Sequence, residues 1–215
     1  MPFLTKILDL LYPPKCPFCG KLLEKGELLC PECQSKLPWL TGAMAEGKPE
    51  LTEGCISVVE YDERVKKGVH AFKFHGKSAR SVAFGILIAQ CVQNHCLAAD
   101  LVSWPPLSKK RLRERGYDQA QLLAEKVGER LGLPVARTLQ KEHRPAQSGL
   151  EGRDARQANL LGAYTAIHVE SFRGKRVLLV DDVLTTGATL SECAKTLRLA
   201  GAEAVVCATL AKAKR

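Results

Sequence analysis

The residues best suited to chemistry lie in one run, VLLVDDVLTTGATL, Val177 to Leu190. Four apolar residues lead into two adjacent carboxylates, Asp181 and Asp182. Leu184, Thr185, Thr186, Gly187, Ala188 and Thr189 follow, and then an amphipathic stretch. Val177–Val180 reads as a central strand buried on both faces. The carboxylates then fall at its carboxyl end, where open α/β sheets take their ligands. Gly187 allows close backbone approach, and the hydroxyls of Thr185, Thr186 and Thr189 can donate to phosphate oxygens. The next helix offers unpaired N–H groups at the positive end of its dipole. One end of the run suits a phosphate; the other suits sugar hydroxyls or a divalent cation such as Mg²⁺. A phosphorylated sugar meets both requirements.

A second run, PPLSKKRLRERGYDQA, places Lys109, Lys110, Arg111, Arg113 and Arg115 within seven residues, opposed only by Glu114. It follows a strand-like DLVSW, so it too belongs at a strand's carboxyl end. Three readings stay open. The cations could stabilise a departing pyrophosphate, or track a nucleic-acid backbone with Tyr117 as a stacking ring, or form a solvated basic face. The net charge of +9 suits anionic partners and equally suits simple solubility.

A third cluster is near the start. Cys16 and Cys19 form one C-x-x-C pair, Cys30 and Cys33 another, with ten residues between the pairs. This spacing suits tetrahedral Zn²⁺ held by four thiolates, a closed and therefore structural site. The nine cysteines are an odd number, and MPFLTKILDLLYPP lacks the long apolar run of a signal peptide. A reducing, cytoplasmic location is expected. Cys55, Cys91, Cys96, Cys193 and Cys207 read mostly as core fillers. No apolar run reaches about 18 residues, so no membrane span is expected. Phe3, Leu4, Ile7, Leu8 and Leu11 fit one face of a short helix.

The elements that must position these groups alternate. Residues 1–40 form a cysteine-rich module and 41–54 a turn-prone linker; 55–215 form an α/β domain with a largely parallel sheet. CISVVEY, DLVSW, PVART, AYTAI, RVLLVDD and AEAVVCATLA read as strands. DERVKKGVHAFKF, SARSVAFGILIAQCVQNH, DQAQLLAEKVGERLGL and ATLSECAKTLRLAG read as helices, with Asp62 and Ser78 as caps. Lys141–Leu160 reads as a long polar loop.

The opening run resembles the phosphoribosyl-pyrophosphate (PRPP) loop of type I phosphoribosyltransferases. That resemblance implies that Asp181 and Asp182 face the ribose hydroxyls, that Leu184–Thr189 cradle the 5′-phosphate, and that Mg²⁺ accompanies the pyrophosphate. It implies a pyrophosphate-binding loop at the basic run, and a mobile loop with Gln147, Arg153, Arg156 and Asn159 as ligand contacts. The zinc ribbon, AFKFHGK, RLRERGYDQA, Gln147–Leu150, Arg156–Asn159 and the PRPP loop together resemble the ComF family, including its GntX-like members. WPPL, Arg144, Tyr117 and Asp118 depart mildly from that family's pattern. Membership implies a role in natural competence, in handling imported single-stranded DNA, with a helicase or other protein as partner. It brings no defined transferase reaction. An active phosphoribosyltransferase acting on a nucleobase or amine, and a PRPP-sensing regulator, are the alternatives.

Overall fold

In the computed structural model, residues 13–74, 79–142 and 162–214 are described. The phosphoribosyltransferase-type sheet expected from the sequence is present, with strand order β1-β2-β7-β6-β3. These are β1 (Glu46–Gly47), β2 (Gly54–Glu60), β3 (Leu101–Ser103), β6 (Arg176–Leu184) and β7 (Ala204–Lys212). The pairs β2–β7, β6–β7 and β3–β6 are parallel, and only the short edge strand β1 runs antiparallel. A two-stranded antiparallel hairpin, β4 (Leu139–Lys141) with β5 (Tyr164–Ala166), stands apart.

The pleat sorts side chains into two cores. Leu178 and Val180 of β6 join Val206, Ala208 and Leu210 of β7 on one face. Helices α3 (Arg80–Asn94) and α5 (Gln119–Leu131) cover that face through Phe84, Ile88, Leu123 and Val127. Val177 and Leu179, with Val205 and Cys207, face the other way, under α6 (Ala188–Leu199) and the hairpin. Asp118 caps α5, accepting from the Ala120 and Gln121 amides at 3.1 and 3.4 Å, and its other oxygen accepts from Leu107 N–H at 2.8 Å. That carboxylate therefore staples together the two ends of the basic segment.

Several expectations change. The strand expected over RVLLVDD continues through both carboxylates to Leu184, because Asp181, Val183 and Leu184 keep register with Thr209, Ala211 and Lys212 of β7. PVART gives only one bridge, Val135 to Val102, because the chain leaves the sheet there to enter the β4–β5 hairpin. Lys141, placed above in the polar loop, is instead the last residue of β4. The basic run is a helix, α4 (Lys109–Arg115), rather than a loop. Ser108 caps it, accepting from Arg111 N–H at 3.4 Å, and Gly116 in the left-handed region closes it. Tyr117 is not a free stacking ring: it leans on Phe72 at 6.1 Å and its hydroxyl donates to the Phe72 carbonyl. Cys96 is exposed, unlike the other four cysteines read as core fillers. Phe3–Leu11, Ser78, Gln147, Arg153, Arg156 and Asn159 lie outside the described residues.

The cysteine module shares the first core. Cys16, Phe18, Leu29, Cys30, Cys33 and Leu37 are buried together with Phe72 and Phe84. The Phe18 and Phe84 rings are 5.1 Å apart. A side chain at Gly68 of α2 (Glu63–Phe74) would come within 3.0 Å of Phe18, so glycine lets the helix lie directly on the ribbon. Arg80 donates to both the Pro17 and the Gly68 carbonyls. Residues 41–54, read as the joint between the two parts, supply β1 and a 3₁₀ turn, Gly42–Met44.

The sulfurs of Cys16, Cys19, Cys30 and Cys33 lie within 4.8 Å of one another. A tetrahedral four-thiolate zinc needs sulfurs ~3.8 Å apart, so the donor set fits the metal. Cys30 caps α1 (Pro31–Lys36), its sulfur accepting from Cys33 N–H at 3.4 Å. Burial pushes the Cys16 thiol up, but the backbone amides of Cys19, Cys30 and Phe18 outweigh it and bring the group down to about 7. Because ribbon and sheet share a core, Cys30→Ser should abolish bound zinc and lower the whole protein's melting midpoint by at least about 5 °C. Loss of zinc with an unchanged melting profile, read by calorimetry and metal analysis, would show that the two parts fold independently.

Candidate phosphoribosyl site

The acidic pair sits on β6, and the pleat sends its two carboxylates to opposite faces. Asp182 goes to the α3–α5 face. There it meets Lys73 from the last turn of α2, with Nζ donating to Oδ1 at 2.8 Å. Both side chains are largely buried, at 12% and 22% exposure, so each neutralises the other where water is scarce. Asp181 goes to the α6 face. Its Oδ1 accepts from Asp182 N–H at 2.8 Å, and its neighbours include Cys193, Tyr164 and Lys141. Burial, and then the Asp182 charge, push Asp181 up to about 7.

The cations come from separate elements. Lys141, at the end of β4, donates to Tyr164 Oη at 3.0 Å and lies 4.8 Å from that ring's centre. Its burial, and then nearby Arg111 of α4, lower its affinity for a proton. Burial raises Tyr164, which stays a neutral phenol. Arg111 is the member of the basic run whose charge acts on Lys141 and Tyr164, and it is itself exposed. Lys109, Lys110 and Arg113 are exposed, and Arg115 donates to Gln119 Oε1 at 2.6 Å.

Beyond Leu184 the chain turns through exposed Thr185 and Thr186 into Gly187, whose φ of +83° is left-handed. Gly187 also lies under Pro49, 3.4 Å from where a Cβ would stand. Its carbonyl accepts from Ser191 N–H at 2.8 Å and so starts α6. Thr186 Oγ1 accepts from Ala188 N–H at 3.3 Å, which fixes the turn at the start of the helix ahead of Thr189. Pro49 and Glu50 hold the outer side: Glu50 N–H donates to Ser191 Oγ at 2.9 Å.

Sequence reasoning named the carboxylates, the turn and, within the basic run, Arg111. It did not single out Lys73, Lys141 or Tyr164. Lys73 was within the quoted AFKFHGK run, but a lone lysine on an amphipathic helix carries no mark of a buried partner 109 positions away. Lys141 and Tyr164 are joined only by the hairpin register.

Two family descriptions match the chain. A double zinc ribbon domain covers residues 7–48, and a phosphoribosyl transferase domain covers residues 117–215. The chain is 32% identical over 209 residues to competence protein F of Haemophilus influenzae, spanning 93% of this chain and 85% of that one. It is 28% identical over 208 residues to the DNA utilization protein YhgH of Salmonella typhimurium, spanning 91% of this chain and 90% of that protein. Among solved structures, the glutamine PRPP amidotransferase from B. subtilis complexed with ADP and GMP aligns at 25% identity and a TM-score of 0.42, over 61% of this chain and 26% of that one. The two matched domains account for the ribbon and the strand–turn–helix site, and the likeness to competence protein F runs through both and the segment between them. The chain therefore belongs to the ComF family of competence proteins.

Proposed function

We propose that this protein binds PRPP, with Mg²⁺, and acts in natural competence, in the cytoplasmic handling of imported single-stranded DNA. The observation that carries the PRPP reading is the juxtaposition at the end of β6. Two carboxylates and a helix N-terminus belong to one strand–turn–helix unit, where Lys73 pairs directly with Asp182, Lys141 lies within charge range of Asp181, and Arg111 within charge range of Lys141. In this reading Asp181 and Asp182 take the ribose hydroxyls from the two sides of the strand, and Leu184, Thr185, Thr186, Gly187, Ala188 and Thr189 enclose the 5′-phosphate. The cations face the pyrophosphate. Mg²⁺ would neutralise part of the pyrophosphate charge. The competence role is supported by relatives named for competence and for DNA utilization. The location is supported by nine cysteines, none of them in a disulfide among the described residues. No described helix is long and apolar enough to cross a membrane. We retain the division into 1–40, 41–54 and 55–215, with the first and last parts sharing one core.

A second reading is catalytic: transfer of the phosphoribosyl group to a nucleobase or amine as pyrophosphate leaves. Lys73 favours it, because a cation already inside the site can turn from Asp182 to a leaving pyrophosphate without crossing the protein. A PRPP sensor would use the same contacts without turnover.

Calorimetric titration with Mg·PRPP tests the shared core of these readings. The wild type should bind, and Asp181→Asn with Asp182→Asn should weaken binding at least about tenfold, the loss of one charged hydrogen bond or more. Undiminished binding by the double variant would remove the ribose assignment.

Asp181 also gives a pH signature. Its folded-state value of about 7 lies above the ordinary 3.8, so the native protein holds this proton more tightly than the unfolded chain does. Its contribution to stability is present below the ordinary value and is lost as pH rises through the folded one. The unliganded wild type should therefore lose stability, relative to Asp181→Asn, between about pH 4 and 7. Parallel stability–pH curves from denaturant titrations of the two proteins would show that Asp181 ionises normally.

A further inference from the structure

The basic helix carries more cations than the phosphoribosyl site uses. Arg111 acts on Lys141 through its charge, whereas Lys109, Lys110 and Arg113 are exposed, with Arg113 Nε donating to the Lys109 carbonyl at 3.3 Å. At the carboxyl end of that helix, against Arg115, stands Phe74, the last residue of α2, 55% exposed. It is not needed as core: Phe72, two residues earlier, is fully buried and makes the packing contacts with Phe84 and Tyr117. Phe74 instead forms a small outward stack. His70, one turn back, lies 4.7 Å from it, and the Arg115 guanidinium sits over its ring at 4.9 Å. Gln119 Oε1 accepts from Arg115 and holds that guanidinium in place.

We propose that the Phe74–Arg115 stack is a nucleobase platform for single-stranded DNA, with Lys109, Lys110 and Arg113 tracking its phosphates. This rests on the DNA-handling reading above and gives it a surface. Unpaired bases stack on aromatic rings and on guanidinium planes, and they do so with little regard for sequence. A basic helix beside such a ring supplies the other half of a single-strand site, the backbone charge. In a duplex the base faces are already occupied, so the platform discriminates against it. Phe74 follows Lys73 directly, and a strand seated here would run beside Asp182. Nucleic acid and phosphoribosyl ligand would then share the last turn of α2.

Fluorescence anisotropy with a labelled oligothymidine, and with a duplex of equal length, tests this in the full-length zinc-loaded protein. The wild type should bind the single strand more tightly than the duplex. Phe74→Ala and Phe74→Leu should each weaken single-strand binding about tenfold while zinc content and melting midpoint hold. Phe74→Trp should restore it. Lys110→Gln with Arg113→Gln should instead lower the slope of log affinity against log salt by about one to two. Binding by the wild type that is unchanged in both Phe74→Ala and Phe74→Leu, or equal for the two DNAs, overturns the platform and leaves the DNA-handling reading standing. No oligonucleotide binding by the wild type overturns both, while Mg·PRPP binding stays a separate measurement.

Discussion

The ion pair between Lys73 and Asp182 is the contact on which the arrangement of this protein turns. A carboxylate at the end of a buried strand needs a partner, because little water reaches it. The partner comes from the last turn of α2, and the place of α2 is set by the zinc ribbon. Phe18 lies against Gly68, and Arg80 ties the ribbon's Pro17 carbonyl to that of Gly68. Four thiolates near the amino terminus thus fix a helix whose far end delivers a cation to the acidic strand. The ribbon is a structural wall of the domain.

The same helix borders three environments. Its first residues meet the ribbon, where Arg64 pairs with Glu32. Its buried face fills the core through Val65, Val69 and Phe72. Its last turn presents Lys73 inward and Phe74 outward. Two neighbouring residues therefore face chemically opposite settings, a buried carboxylate and a basic solvent-exposed helix. The Phe72 carbonyl, which accepts from Tyr117, anchors that turn to the end of the basic segment. A shift of α2 would move the ion pair and the aromatic stack together.

The Thr185–Gly187 turn is confined from outside as well as within. Pro49 over Gly187 and Glu50 bound to Ser191 place these two residues against the start of α6. Ser57, Thr209 and Asp181 form a polar row across β2, β7 and β6, with the two hydroxyls 2.7 Å apart. The carboxylate is thus the end of a row that the sheet register creates. Its raised proton affinity follows from that burial and from the neighbouring charge of Asp182.

Much of this was written in local sequence. An uninterrupted apolar run into two aspartates and a Thr-Gly turn can be read as strand, ligand end and helix start, because period, turn chemistry and charge are local properties. The two C-x-x-C pairs carry their metal geometry in their spacing. Asp62 announces its helix as a cap, and it does accept from the Val65 amide. What the sequence could not give was set by long-range packing. The helix α4 is the exception, since the Ser108 cap and the helix-forming cations after it are local signals that the loop expectation passed over. The register against β7 carried the strand past its aspartates and split them between two faces. Lys73, Lys141 and Tyr164 became parts of the site only when helix, hairpin and sheet were brought together. A partner chosen across a hundred residues leaves no local signal, and only the folded chain decides it.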